Sequence, residues 1–247
     1  ETLTGGASAD IVTLATQVTG GTFNLGAGAD SLTLGAFENT LTVANIETVT
    51  GSASVDIVSL GAALTGGTIN LGGEADSLAL GNAGATLSVA NVETLTGGTA
   101  SDVVTFTTQI TGMSVNLAGG ADQLTLSNSA NTLTVSNVET LAGGTASDVV
   151  TLAAQITAGT VNLGAGADSL TLGAFVNTLS VAGAETVTGG ASADVLTFTT
   201  QVTGGTVNLG GGADSLTLGA FTNTLTLSNT ETLTGGASAD IVTLATQ

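Results

Sequence analysis

The sequence repeats itself every 46 residues. The pair Glu-Thr begins at Glu1, Glu47, Glu93, Glu139, Glu185 and Glu231. The repeats are therefore 1–46, 47–92, 93–138, 139–184 and 185–230, with a partial sixth at 231–247. A fixed period of this size confines a chain to stacked or radially arranged copies of one supersecondary unit. Asparagine recurs in step at Asn24, Asn70, Asn116, Asn162 and Asn208. Aspartate occurs at Asp10, Asp30, Asp56, Asp76, Asp102, Asp122, Asp148, Asp168, Asp194, Asp214 and Asp240, at intervals that alternate between 20 and 26. Each repeat thus contains two related half-units.

Local pattern gives the element type. Ser31-Leu32-Thr33-Leu34, Thr40-Leu41-Thr42-Val43 and Thr22-Phe23-Asn24-Leu25 alternate polar and apolar residues. Period two over short runs of Thr, Val and Leu reads as half-buried strands. Glycine pairs such as Gly5-Gly6 and Gly20-Gly21 punctuate the runs and allow positive φ at turns. Helical periodicity is absent. Five strand-like runs fall in each repeat, two in the shorter half-unit and three in the longer. The sequence predicts an all-β fold: one continuous parallel β-solenoid, a β-helix or β-roll, over residues 1–247. Each 46-residue repeat is expected to make two coils, of about 20 and 26 residues, with ~4.8 Å per coil along the axis. Six Phe and no Trp or Tyr suit a narrow core. An up-and-down barrel or a propeller with four-stranded blades is the rival, but two half-units per repeat fit two coils better than one blade.

Composition removes most functions. The chain has 19 carboxylates and no Lys, Arg or His, for a formal charge of −19. Nucleic-acid binding lacks the cations that neutralise phosphate. Ser-His-Asp, Cys-His and Schiff-base chemistry lack a base or a nucleophile. Cys and His zinc sites and disulfides are impossible. Hydrophobic residues make up 42% of the chain, which argues against disorder. No apolar stretch is long enough for a membrane helix, and no targeting segment is visible in the 247 residues. An enzyme is not expected. Paired carboxylates can hydrolyse glycosides, yet every carboxylate except Glu38 and Glu74 belongs to a repeating series, so no unique constellation stands out.

The segment Gly5-Gly6-Ala7-Ser8-Ala9-Asp10-Ile11-Val12-Thr13 resembles the RTX, or hemolysin-type, calcium-binding nonapeptide, GGxGxDxUx with U a large apolar residue. Leu25-Gly26-Ala27-Gly28-Ala29-Asp30-Ser31-Leu32-Thr33 matches another subset of the motif, and the likeness recurs around all eleven Asp residues. The resemblance implies a secreted bacterial β-roll with calcium held at the turns. Its candidate calcium ligands are Asp10, Asp30, Asp56, Asp76, Asp102, Asp122, Asp148, Asp168, Asp194, Asp214 and Asp240. The spacing departs from the family, whose motifs run in tandem nine residues apart. The fourth motif glycine is replaced by Ser8, Ser54, Ala100, Ala146, Ser192 and Ser238.

The residues themselves leave two readings of the Asp series open. Stacked carboxylates ~5 Å apart repel by about 1 kcal/mol in water and roughly 3 at an effective dielectric near 20. Divalent cations are the natural compensation, and oxygen ligands suit calcium. Alternatively, each Asp caps its own turn and sits solvated. The Asn24 series is expected to stack as axial amide ladders, and the Glu1 series to form a solvated face. Columns such as Thr40/Thr42, Thr132/Thr134 and Thr224/Thr226 resemble the flat faces of ice-binding solenoids, although Thr is also an ordinary residue for a solvated strand.

The composite expectation is a repeat segment of a long, secreted, acidic bacterial solenoid at the cell surface or outside the cell. It would form a filament, surface layer, matrix or adhesin stalk, and its partners would be further copies of itself in fibres or layers. The alternatives are a calcium-binding RTX module of a secreted effector and an ice-binding solenoid. Residues 1–17, ETLTGGASADIVTLATQ, return unchanged as 231–247. That identity suggests a longer block of five repeats, with Val-Thr-Gly-Gly-Thr-Phe-Asn expected to follow Gln247.

Overall fold

The computed structural model describes residues 1–245, and the chain divides into two compact units, Glu1–Leu124 and Thr125–Gln247. No helix occurs among the described residues, so none is long and apolar enough to cross a membrane.

The first unit contains β1 (Thr2–Thr4), β2 (Ile11–Thr13), β3 (Thr19–Asn24), β4 (Ser31–Thr33), β5 (Asn39–Ala44), β6 (Thr48–Ser52), β7 (Asp56–Leu60), β8 (Leu64–Gly72), β9 (Ser77–Ala79), β10 (Ala85–Ala90), β11 (Thr94–Thr96), β12 (Val103–Phe106) and β13 (Thr111–Asn116). A further strand, β14 (Gln123–Thr125), falls at the division. Odd-numbered strands pair in parallel in one sheet and even-numbered strands in another. One coil is therefore two strands and two turns. Inward residues stack from coil to coil. Leu32 pairs with Val49, Val49 with Ile69, Ile69 with Val89 and Val89 with Phe106, and all five are buried. Full burial of each such side chain stabilises by roughly 1.5–3 kcal/mol. Between them the two sheets enclose a core of Leu, Val and Ile.

The second unit repeats this plan. It contains β15 (Thr132–Ser136), β16 (Thr140–Ala142), β17 (Val149–Leu152), β18 (Thr157–Asn162), β19 (Ser169–Thr171), β20 (Thr178–Ala182), β21 (Thr186–Thr188), β22 (Val195–Phe198), β23 (Thr203–Asn208), β24 (Ser215–Thr217), β25 (Thr224–Ser228), β26 (Thr232–Thr234) and β27 (Ile241–Leu244). Again alternate strands build two parallel sheets.

The parallel all-β solenoid expected from the sequence is the fold of the chain, and the step from Asp10 to Asp30 is one coil, with Ile11 paired to Ser31. The 26-residue interval is divided differently from the expectation. A coil step of 17 residues takes Ser31 to Thr48, which places Glu47 over Asp30. Asp56 lies half a coil further on, at the entry to β7 in the opposite sheet. The cause is arithmetic. A repeat holds five strands and a coil holds two, so 46 residues make two and a half coils. The Glu-Thr strand accordingly lies in one sheet as β1, in the other as β6, and in the first again as β11. The structural period is five coils over two repeats.

Candidate functional site

The half-integer period decides which polar residues meet. Just before each strand the chain turns, and the backbone N–H there needs a partner. At most of these places a side chain from the next coil supplies it, whereas the N–H groups of Glu93, Glu185 and Glu231 donate to the backbone carbonyls of Asp76, Asp168 and Asp214 in the coil before. On the edge leading into the odd strands, Val18 N–H donates to Asn39 Oδ1 (3.1 Å) and Asn39 Nδ2 donates to Asp56 Oδ1 (2.8 Å). Asp56 N–H then donates to Asp76 Oδ1 (2.7 Å), and Asp76 N–H to Glu93 Oε2 (2.8 Å). On the other edge Asp10 N–H donates to Asp30 Oδ1 (2.7 Å) and Asp30 N–H to Glu47 Oε2 (2.8 Å).

The second unit carries the same ladder. Ile156 N–H donates to Asn177 Oδ1 (3.1 Å), Asn177 Nδ2 to Asp194 Oδ1 (3.0 Å), Asp194 N–H to Asp214 Oδ1 (2.7 Å) and Asp214 N–H to Glu231 Oε2 (2.6 Å). The order along the axis is apolar residue, Asn, Asp, Asp, Glu. The Glu series therefore joins the Asp series in one column rather than forming a separate face.

In four sets the first Asp (Asp10, Asp56, Asp148, Asp240) also accepts, on Oδ2, the N–H of the residue four positions earlier, at 3.1–3.3 Å. This contact accounts for the glycine-aspartate spacing. A Cβ on Gly5 would collide with the Leu25 carbonyl and Asp10 Oδ2, so the turn closes only over glycine. The Oδ2 atoms of Asp30, Asp76, Asp168 and Asp214, each the second Asp of its set, and of Asp194, a first Asp, are buried and accept no hydrogen bond. Burial is the main force that raises the carboxyl of Asp76 to about 7. The Asp56 N–H opposes it, and the charges of Asp56, Glu93 and Glu74 add to it. Asp168 and Asp214 are raised for the same reasons.

The predicted calcium ligands are thus placed as follows. Asp30, Asp56, Asp76, Asp102, Asp122, Asp148, Asp168, Asp194 and Asp214 are buried, and Asp10 and Asp240 are half-buried. The solvated-turn reading is overturned for the buried nine, because the covering coil and the glycine turn exclude water. Calcium takes six to eight oxygens, and among the described residues no three acidic side chains gather as a metal-ligand set.

The Asn24 series does not stack on itself, because residues 46 apart lie on opposite edges. Asn24, Asn70 and Asn208 instead accept from Asn45, Asn91 and Asn229 at 2.7–2.8 Å. The buried asparagines Asn39, Asn131, Asn177 and Asn223 are the site residues that sequence reasoning missed. Their signal was present: Asn-Thr-Leu recurs with the same period, broken only at Ala85.

No protein-family model matches the chain, and no curated protein is significantly similar to it.

Proposed function

We propose that this chain is a structural element: a repeat segment of a secreted, acidic bacterial solenoid that serves as filament, surface layer, matrix or adhesin stalk, associates with further copies of itself and performs no catalysis. One observation carries the reading. The repeating Asp side chains are mostly buried, and with the half-exposed or exposed Glu of the same column they accept hydrogen bonds from the preceding coil, which makes them fixtures of a stack rather than groups presented to a substrate. A solenoid of this kind gains length by adding repeats, since each coil contacts only its neighbours.

The experiment is sedimentation and negative-stain microscopy of the purified chain in excess chelator. Concentration-dependent assemblies of stacked solenoid are expected. A monodisperse monomer at every concentration overturns the reading. The calcium-binding alternative is favoured by the buried Asp Oδ2 atoms that lack a donor. If it holds, calcium raises the melting temperature by mass action and chelator lowers it. The structural reading expects the same melting curve in both.

A further inference from the structure

Two carboxylates stand outside the repeating series, Glu38 and Glu74. Glu74 lies in the turn that leads into β9, two residues before Asp76. The same place in the other four complete repeats is held by Gly28, Gly120, Gly166 and Gly212, at φ 137–149°. A Cβ on any of those glycines would press on the backbone of the coil before. Glu74 does carry a Cβ, and its backbone sits instead at φ 81°. That left-handed conformation is unfavourable for any residue but glycine. The second repeat thus has an exposed acid on a strained backbone where the pattern has glycine.

The group beneath this turn is the buried Asp76, whose Oδ2 has no donor. Every charge that faces it is another carboxylate: Asp56 from the coil before, Glu93 from the coil after and Glu74 from its own turn. Burial first, and then these three charges, keep the proton on Asp76 up to about pH 7. Asp168 and Asp214 are faced only by the Asp and Glu of their own ladders. The turn is also held by fewer ties. In the third and fourth repeats the N–H groups of Ala121 and Ala167 donate to the hydroxyls of Ser101 and Ser147, both at 2.9 Å. The second repeat has Val55 in the place of those serines, so the Ala75 N–H is without that tie.

We propose that the turn at residues 72–76 is a pH-sensitive latch, closed over Asp76 while that carboxyl holds its proton and open once the proton has left for water. In the closed turn Asp76 binds a proton up to about pH 7, and in the open, hydrated turn only up to its ordinary value of 3.8. The closed form therefore gains from proton binding below about 4, and that gain is lost as pH rises to 7. Above 7 the closed turn buries an ionised carboxylate among three others, with one oxygen unpartnered, under a backbone already strained. Opening hydrates Asp76, parts it from Glu74 and Glu93 and frees the Glu74 backbone. It breaks only the ties of Gly73 N–H to the Ser52 carbonyl (2.8 Å), Asp56 N–H to Asp76 (2.7 Å) and Asp76 N–H to Glu93 (2.8 Å). Leu78 stays buried and paired between Val58 and Leu95, so the event is local. The latch is independent of self-association, and it stands or falls apart from the structural-element reading.

The test is hydrogen exchange of the whole chain in chelator at pH 5 and pH 8.5, read by mass spectrometry and corrected for the intrinsic rate at each pH. Protection of the amides at 73–76 should fall at least about tenfold between the two, while Leu78 stays protected. The equivalent turns at 165–168 and 211–214 should fall less. Glu74→Gly, which restores the glycine of the other repeats, should bring the fall down to theirs. Glu74→Gln keeps the strained backbone and removes the charge, and should lie between wild type and Glu74→Gly. Asp76→Asn, which cannot ionise, should keep the turn protected at both pH values; if it does not fold, the two Glu74 variants decide. Equal loss at all these turns, or a fall undiminished in Glu74→Gly, overturns the proposal. Loss of protection at Leu78 in step with the turn is global unfolding and overturns it too.

Discussion

Ala85 breaks the series of buried asparagines, and Asp102 beside it registers the loss. Where Asn223 is present, its side-chain hydrogen bond to Asp240 is the foremost cause holding that carboxyl below the ordinary carboxylate value. At Asp102 only the Ala85 backbone N–H donates along the ladder (2.8 Å), and burial pushes the carboxyl up. Ala85→Asn should therefore stabilise the chain by about 1 kcal/mol, the usual net worth of one hydrogen bond, read as a higher denaturation midpoint at pH 7. Removing the amide elsewhere should cost more. Asn177→Ala leaves the Ile156 N–H and the Asp194 carboxylate each short of a partner, and a loss of about 1–3 kcal/mol is expected from the same denaturation series. The second Asp gives a pH dependence. In the unfolded chain Asp76 loses its proton near the ordinary value of 3.8, and in the folded chain near 7. The folded state binds the extra proton between those values, so the stability present below about 4 is lost as pH rises towards 7. Thermal melts in chelator should give a higher midpoint at pH 5 than at pH 8. Asp76→Asn, which mimics the protonated acid, should narrow the gap; an equal or wider gap contradicts the assignment.

At the scale of the element, the turn after the long strand is set by a residue at positive φ. Gly26, Gly72, Gly164 and Gly210 occupy that place, and their absent Cβ atoms would overlap the carbonyl oxygens of Gly6, Ser52, Gly144 and Gly190. The third repeat has Ala118 there, at φ 66°. A left-handed conformation costs an ordinary L-residue roughly 1–2 kcal/mol. Ala118→Gly should recover about that much, seen as a rise in the unfolding midpoint, and Gly164→Ala should cost more because its neighbour is backbone that cannot move aside. These strands and turns were legible in the sequence, because alternation in Ser31–Leu34 and the glycine pairs act over a few residues. The ladder was not. The Asp intervals of 20 and 26 were visible, but they do not reveal that Asp30 meets Glu47 while Asp56 turns to the other edge. That fact depends on how many strands close a coil, a property of the packed core. For the same reason the Asn24 series looked like a stack, and Asn39 with its equivalents, which do join the column, drew no notice.

At the scale of the whole molecule, the half-integer repeat links fold to function. It places the same kind of polar column, broken only at Ala85, on both edges, and the same kind of uncharged face on both sheets, from one 46-residue sequence. Had a repeat made two whole coils, one edge would carry all the acids of a given type and the two faces would differ. Thr48 and Thr94 separate these cases. Both are exposed, they are one repeat apart, and they lie in β6 and β11 of opposite sheets in the first unit. Spin labels there, read by pulsed dipolar spectroscopy on the double cysteine variant, measure the arrangement directly. With sheets ~10 Å apart and two and a half coils at ~4.8 Å each, outward-pointing labels should lie more than ~25 Å from one another. A separation near ~10 Å, two coils along a single face, would contradict the account.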